Sequence, residues 1–226
     1  MSTKIRELHL FLKAHSFYPL ALSSILSVSF FAWRHVYSGS YNYLNLVSNL
    51  FLAWMPYWFS LLAAGIQRVR PKWWLALLLL GIGWLLFFPN APYLVTDFYH
   101  LYRRPPVPYW FDIGLTSIFA FTGCFLAIAS LRTMQELVEK ALGKVVGWVF
   151  ALGVIALSGL GVYLGRIQRW QSWDLLLHPR QLLAELAQQM LNPMENLGFI
   201  GFTLMFTSIL LVSYLMFISS KPIPER

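Results

Sequence analysis

Long apolar stretches alternate with short polar connections along almost the whole chain. A helix that crosses a membrane needs about 17–25 predominantly apolar residues. Six stretches meet or approach this requirement, so the pattern predicts six membrane-spanning helices, over residues 16–34, 44–66, 73–88, 110–131, 145–165 and 198–219. The connections are too short for a separate soluble domain, and we expect residues 1–226 to form a single integral membrane domain.

Two further stretches, 133–144 and 179–192, are amphipathic. In the second, leucines recur on one face of the predicted helix, and Pro179 suits its first turn. A helix of this kind lies in the plane of the membrane surface, although a lid over a lipid or partner site is an alternative. The predicted fold is therefore all-α: a polytopic bundle of about six spanning helices with one or two interfacial helices.

Composition supports a membrane protein. The chain is 58% apolar and 12% charged, whereas soluble proteins carry about 25% charged residues. Ten tryptophans and eleven tyrosines suit a protein that lines two membrane interfaces with amphipathic rings. The single cysteine, Cys124, lies in an apolar run, which excludes a disulfide framework and a cysteine metal site.

The distribution of charge predicts the orientation of the chain. If the N-terminus is cytoplasmic, eleven Lys and Arg residues fall on the inner side and six on the outer side. Positive loops stay inside, so we expect both termini in the cytoplasm, in the cell (plasma or inner) membrane. The net charge of +8 then reports insertion and contact with anionic lipid rather than a nucleic-acid partner.

One polar motif, 87-FFPNAPYLVTDFYHLYRRPP-106, interrupts the apolar pattern. Pro89 is expected to end the third span, because proline cannot donate to the helix ladder, and Asn90 suits the cap of the next helix. The chain should then fold back at the outer interface. If residues 92–104 are helical, one face carries several polar groups. They are the hydroxyls of Tyr93 and Thr96, the carboxylate of Asp97, the imidazole of His100 and the guanidinium of Arg104.

Asp97 and His100 are the strongest candidates for chemistry in this motif. A carboxylate three residues before an imidazole can help to bind a divalent metal, or it can orient the ring for proton transfer. Asp112, in the first turn of the fourth span, is a possible third ligand, although the helix dipole alone would stabilise it there. These three residues are the catalytic and metal-binding candidates. The alternative is a carboxylate–imidazole hydrogen bond that only holds a turn.

A second polar stretch, 163-YLGRIQRWQSWDLLLHP-179, is predicted on the same side of the membrane. Arginines flanked by tryptophans can hold a phosphate or carboxylate through bidentate contacts and ring stacking. An interfacial belt with Arg–Asp pairing is the alternative. We expect the two stretches to converge, which makes the substrate-binding candidates Asn90, Tyr93, Thr96, Arg166, Arg169, Trp173 and Asp174.

Four pieces of the chain resemble a known family: 49-NLFLAWMPYW-58, 86-LFFPNAPYLVTDFYHL-101, 109-YWFDIG-114 and 160-LGVYLGRIQRWQSWD-174. In content and order they are similar to the bacterial predicted membrane proteins grouped as domain of unknown function 1361, over roughly residues 45–215. The resemblance implies a bacterial multi-pass membrane protein and brings no activity with it. Gln171 departs from the family pattern, where asparagine is usual.

Three functions are compatible with these residues. The first is a membrane-embedded hydrolase or transferase that acts on a lipid or lipid-linked anionic substrate. The second is a non-enzymatic binding or assembly module in which the polar cluster is structural. The third is a lipid or small-molecule transporter, which the lack of ionisable residues near the centres of the predicted spans disfavours. The sequence leaves the choice open, and it indicates neither a substrate nor an oligomeric state.

Overall fold

The computed structural model describes residues 3–170, 174–192, 194 and 196–219, and these residues form helices and short connections without a β-strand. The α-helices are α1 (Thr3–Ala14), α2 (Phe17–Ser38), α3 (Leu44–Val69), α4 (Trp74–Phe87), α5 (Asn90–Tyr93), α6 (Tyr109–Leu142), α7 (Lys144–Tyr163), α8 (Asp174–Leu177), α9 (Pro179–Leu191) and α10 (Leu197–Ser219). A 3₁₀ segment, Leu94–His100, follows α5, and a π-helical segment, Leu164–Gln168, follows α7.

Five helical segments of the described chain are long and apolar enough to cross a membrane: Leu44–Val69, Trp74–His100, Tyr109–Leu142, Lys144–Gln168 and Leu197–Ser219. A sixth span results if α1 and α2, which meet at a bend of 70°, are taken together. The predicted all-α polytopic bundle is confirmed by these helices.

The chain, predicted as one domain, divides by its internal contacts into two compact units, residues 1–137 and 138–226. In unit 1, α3 packs along α4 and contacts α2, α5 and the 3₁₀ segment. Large side chains are fully buried in this unit, among them Tyr57, Trp84 and Phe119. In unit 2, α7 packs along α10, with Ile155 and Tyr214 buried.

The bend between α1 and α2 is held by polar contacts. Ser16 takes a left-handed conformation, with φ of 63°, which breaks the helix between the two elements. The Tyr57 hydroxyl of α3 donates a hydrogen bond of 2.9 Å to the His15 carbonyl, and His9 Nδ1 lies 2.7 Å from the Tyr18 hydroxyl. The first of these bonds satisfies a backbone carbonyl that the interrupted helix would otherwise leave unpaired, and the second links α1 to α2.

Two of the predicted elements, the third span and the amphipathic helix over 133–144, differ from the observed helices. The third span runs from Trp74 to His100 rather than over 73–88, because the chain continues through the two prolines in a different helical winding. The stretch 133–144 is not a separate helix, since nothing breaks α6 before Gly143, where φ is 93°. At 1.5 Å per residue α6 is about 50 Å long, well beyond a hydrocarbon core of about 30 Å. The helix predicted over 179–192 corresponds to α9.

Gly123, midway along α6, allows the motif to pack directly on the helix backbone. A Cβ built on Gly123 would collide with the Ala91 carbonyl oxygen and would lie 2.7 Å from Leu94 Cδ1. Only glycine permits so close an approach. This contact lies about 20 Å along α6 from Tyr109, so the polar motif begins deep within unit 1.

We therefore expect Gly123→Ala to destabilise the protein by about 1–3 kcal/mol, the usual effect of overpacking a filled interior. Gly114→Ala on the same helix is the matched control, because a Cβ there meets nothing within 4 Å. Denaturant titration of the purified protein in detergent, followed by circular dichroism, compares the two. Equal midpoints for both variants would contradict the close approach.

The packing of α7 on α10 in unit 2 depends on Gly159 in the same way. A Cβ at Gly159 would collide with Thr207 Oγ1 and would lie 2.7 Å from the Thr203 carbonyl oxygen. Small residues at such positions let helix backbones approach closely in membranes.

Gly159→Ala should consequently lower the unfolding midpoint, and Gly159→Leu should lower it further, because a larger side chain must separate α7 from α10. Gly153→Ala, on α7 with open space around its Cβ, should leave the midpoint within experimental error. The same denaturant titration measures all three. A Gly159→Leu protein as stable as the control would show that this helix pair is not tightly packed.

Candidate functional site

The motif span changes winding because two prolines remove backbone donors. Neither Pro89 nor Pro92 has an N–H to give to the preceding turn. The Asn90 side-chain amide donates to the Phe87 carbonyl at 3.0 Å, and the Ala91 N–H donates to the Phe88 carbonyl at 3.2 Å. Asn90 therefore caps the end of α4 rather than the start of the next helix, and the span continues instead of folding back.

Asp97, the motif carboxylate, is buried against α3. It is 1% exposed and accepts a hydrogen bond of 3.0 Å from the Asn49 side-chain amide. Thr96 donates to the Tyr93 carbonyl at 2.6 Å, so its hydroxyl is occupied by local backbone. This part of the 3₁₀ segment is tied into unit 1 by polar contacts.

His100, in contrast, is exposed at the end of the 3₁₀ segment, with its ring edge-on to Tyr99 at 5.6 Å between centroids. The expected shared face of Thr96, His100 and Arg104 is not formed. A 3₁₀ helix has three residues per turn, and regular winding ends at His100. Asp97 and His100 thus lie in different surroundings, one buried and one open.

Asp112, in the first turn of α6, forms a buried ion pair with Arg34 of α2. Arg34 Nε lies 2.6 Å from Asp112 Oδ1, and Arg34 Nη2 lies 3.1 Å from Oδ2. The two side chains are 1% and 0% exposed. Such bidentate contact is the strongest geometry available to this pair of groups. Both oxygens of the carboxylate are therefore engaged by one guanidinium.

Tyr43 joins this pair to a second arginine. Its hydroxyl lies 3.5 Å from Asp112 Oδ2, at the long end of hydrogen-bonding distance. The guanidinium carbons of Arg34 and Arg104 lie 4.6 and 4.7 Å from the centre of the Tyr43 ring. We call Arg34, Tyr43, Arg104 and Asp112 the arginine–tyrosine cluster.

The electrostatics of the cluster favour a neutral tyrosine and leave excess positive charge. Burial raises the pKa of Tyr43, and Asp112 raises it further, against opposing effects of Arg104 and Arg34. The two guanidinium groups lie roughly 9 Å apart or closer, where like charges repel by about 2 kcal/mol at an effective dielectric constant near 20. Asp112 neutralises one of them, and the ring faces offer the other a cation–π contact.

The proposed metal ligands do not come together. Within the described ranges, no three His, Cys, Asp or Glu side chains form a group that could hold a metal ion. Asp112 is engaged by Arg34, Asp97 is bonded to Asn49, and His100 is exposed. The 3₁₀ winding separates Asp97 from His100. The carboxylates of Asp97 and Asp112 are bonded instead to Asn49 of α3 and to Arg34 of α2.

Unit 2 carries the second polar stretch. Arg166 lies in the π-helical segment, a rare form that often occurs at functional sites. Arg169, which follows it, is exposed and has φ of 62°, an uncommon conformation for a non-glycine residue. Trp170 Nε1 donates to Glu185 Oε2 of α9 at 3.1 Å. This bond fixes the exit of α7 against α9.

Of the remaining candidates in this stretch, Asp174 is the first residue of α8 and is half-buried. Trp173 lies outside the described residues. The convergence of the two polar stretches stays a prediction.

Three residues that make these contacts were not among the predicted site residues: Arg34, Tyr43 and Asn49. One signal pointed to Arg34. It is a lone charge near the end of an apolar span, where an ionisable residue needs a partner. Nothing in the spacing indicated that the partner would be Asp112, 78 residues further along the chain.

The helices, the buried ion pair and the polar motif within a span define a polytopic α-helical membrane protein. The chain belongs to the family described as "Protein of unknown function (DUF1361)", which matches residues 48–213. No curated protein and no solved structure matches it.

We expect Arg34→Gln and Asp112→Asn, each alone, to lower the free energy of unfolding by about 3–5 kcal/mol, because each leaves a buried charge without its partner. The double variant should recover much of this loss. Arg132→Gln is the control, since its pair with Glu136 is 24% and 38% exposed and contributes about 0–1 kcal/mol. Denaturant titration in detergent measures all four, and single variants as stable as Arg132→Gln would contradict the assignment.

Proposed function

We propose that this protein is a membrane-embedded binding protein for lipids or lipid-linked ligands with anionic headgroups, and that it is not an enzyme. The observation that carries the proposal is the engagement of Asp112, which is 0% exposed and has both oxygens on Arg34. A carboxylate held in this way stabilises the fold and is not available to a substrate. Asp97, at 1% exposure and bonded to Asn49, supports the same interpretation.

The exposed groups around the buried carboxylates have the character of a headgroup surface. Between Phe98 and Arg103 the exposed side chains are aromatic or basic: Phe98, Tyr99, His100, Tyr102 and Arg103. Aromatic rings favour the interfacial layer of a bilayer, and arginines contact lipid phosphates through forked hydrogen bonds. In the orientation that the Lys and Arg distribution favours, with both termini cytoplasmic, this surface faces outward.

Arg169 and Trp170 give unit 2 a corresponding basic and aromatic segment. Arg169 has a positive φ and is exposed, and it precedes Trp170, which Glu185 holds in place. Strained backbone of this kind persists where the surrounding structure enforces it and is found at ligand sites. We assign Arg169 to headgroup contact, with Arg166 nearby in sequence.

An enzyme that acts on a lipid-linked anionic substrate is the second candidate. The exposure of His100 favours it, because an exposed imidazole is accessible to a substrate as a general acid or base. In this alternative Asp97→Asn and His100→Ala abolish turnover while insertion and abundance stay normal. In the binding protein, His100→Ala leaves stability unchanged, and Asp97→Asn mainly weakens the contact with Asn49.

Retention of lipid by the purified full chain tests the proposal. The protein is reconstituted with mixed phosphatidylglycerol and phosphatidylcholine, extracted in a neutral detergent and analysed by native mass spectrometry. The wild type should retain the anionic lipid in preference. Arg169→Gln should weaken retention about fivefold, since one arginine near a lipid surface contributes about 1 kcal/mol.

The matched control is Arg180→Gln, which removes an exposed arginine at the start of α9. It should change retention less than twofold. A wild type without preference for the anionic lipid overturns the proposal, and equal losses in both variants overturn the assignment of Arg169.

A further inference from the structure

The Arg34 guanidinium of the arginine–tyrosine cluster has a donor group that the protein does not use. Nε and Nη2 contact Asp112, whereas Nη1 is buried and has no hydrogen-bond partner. Nη1 carries two N–H donors. A buried donor without an acceptor is destabilising, and such groups are rare in folded proteins. Its presence beside a fully engaged carboxylate calls for an acceptor from outside the chain.

Arg104 supplies a second cation to the same place. Its guanidinium lies over the Tyr43 ring, as that of Arg34 does. The one carboxylate of the cluster is already bidentate with Arg34, so the charge of Arg104 is not neutralised within the cluster. Arg104 is half-buried, which gives a ligand a path from the surface. A cationic ligand would be repelled here, and an anion would be attracted.

We propose that Arg34 Nη1 and Arg104 bind one phosphate group, with Tyr43 as the ring on which both guanidinium groups rest. The inference rests on the proposed function and specifies the group that is recognised. A phosphate has several acceptor oxygens, so it can accept from two guanidinium groups at once. A phosphate monoester or diester thereby satisfies the unused donor and neutralises the second arginine.

Tyr43 suits this role because it stays uncharged. Its pKa is raised by burial and by the neighbouring Asp112, so at neutral pH the phenol adds no negative charge beside the bound anion. The hydroxyl instead faces Asp112 at 3.5 Å. Because Asp112 contacts Nε and Nη2, a phosphate at Nη1 would lie on a different side of the Arg34 guanidinium, which limits the repulsion between carboxylate and phosphate.

The phosphate can belong to a lipid headgroup or can be free, and three ligands distinguish these sources. The full chain in neutral detergent is titrated with inorganic phosphate, with phosphatidylglycerol and with phosphatidylcholine, and dissociation constants are measured. Binding of phosphatidylglycerol in competition with inorganic phosphate is the expected result. Binding of inorganic phosphate alone identifies a free anion as the ligand and supports the site without the lipid.

Arg104→Gln and Arg70→Gln form a matched pair of variants. Arg70, at the end of α3, also lies over an aromatic ring, but the ring is that of Trp73, at 4.3 Å, and not that of Tyr43. Arg104→Gln should weaken binding about tenfold or more, as expected for the loss of a charge-assisted hydrogen bond. Arg70→Gln should change it less than twofold. Equal effects of the two substitutions overturn the site.

The double variant Arg34→Gln/Asp112→Asn lacks Nη1 and leaves no unpaired buried charge. It should therefore also lose binding. Full binding by this folded double variant overturns the role of Arg34. Failure of the proposed function has a different signature: the wild type then shows no preference for phosphatidylglycerol over phosphatidylcholine. A preference that persists undiminished in Arg104→Gln leaves the proposed function standing and overturns this site alone.

Discussion

Unit 1 depends on the ion pair between Arg34 and Asp112, because a charge buried in the protein without a partner has no water to solvate it. Each group alone would be costly where it lies, and each is fully buried. Their contact fixes α2 against the first turn of α6. Tyr43, at the start of α3, lies on the same guanidinium, so three helices meet at one bidentate pair.

A second constraint concerns backbone rather than charge. A span that contains two prolines leaves carbonyl groups without donors, and lipid cannot satisfy them. Unit 1 meets this constraint locally, through the Asn90 side chain and tighter winding. Because Gly123 has no side chain, α6 can pack directly on the irregular segment. The motif is consequently an internal structural element as well as the most polar part of its span.

The sequence predicted the helices well, whereas the contacts of the candidate site depend on partners that lie far away along the chain. Apolar length determines where a helix can cross a membrane, so α3, α7 and α10 begin and end close to their predicted bounds. The winding of Leu94–His100 was not predictable from spacing, because a segment of 7 residues is too short to distinguish three residues per turn from 3.6. The burial of Asp97 depends on Asn49, which belongs to a different helix and comes 48 residues earlier.

The sequence separation within the ion pair also has a consequence for synthesis. Asp112 follows Arg34 by 78 residues, and a ribosome adds about 5–20 residues per second. For roughly 4–16 s, therefore, α2 has left the ribosome with an arginine whose carboxylate does not yet exist. During that interval Arg34 must stay near headgroups or water, or be shielded by the insertion machinery. Final burial of α2 is thus a late event in the biogenesis of unit 1.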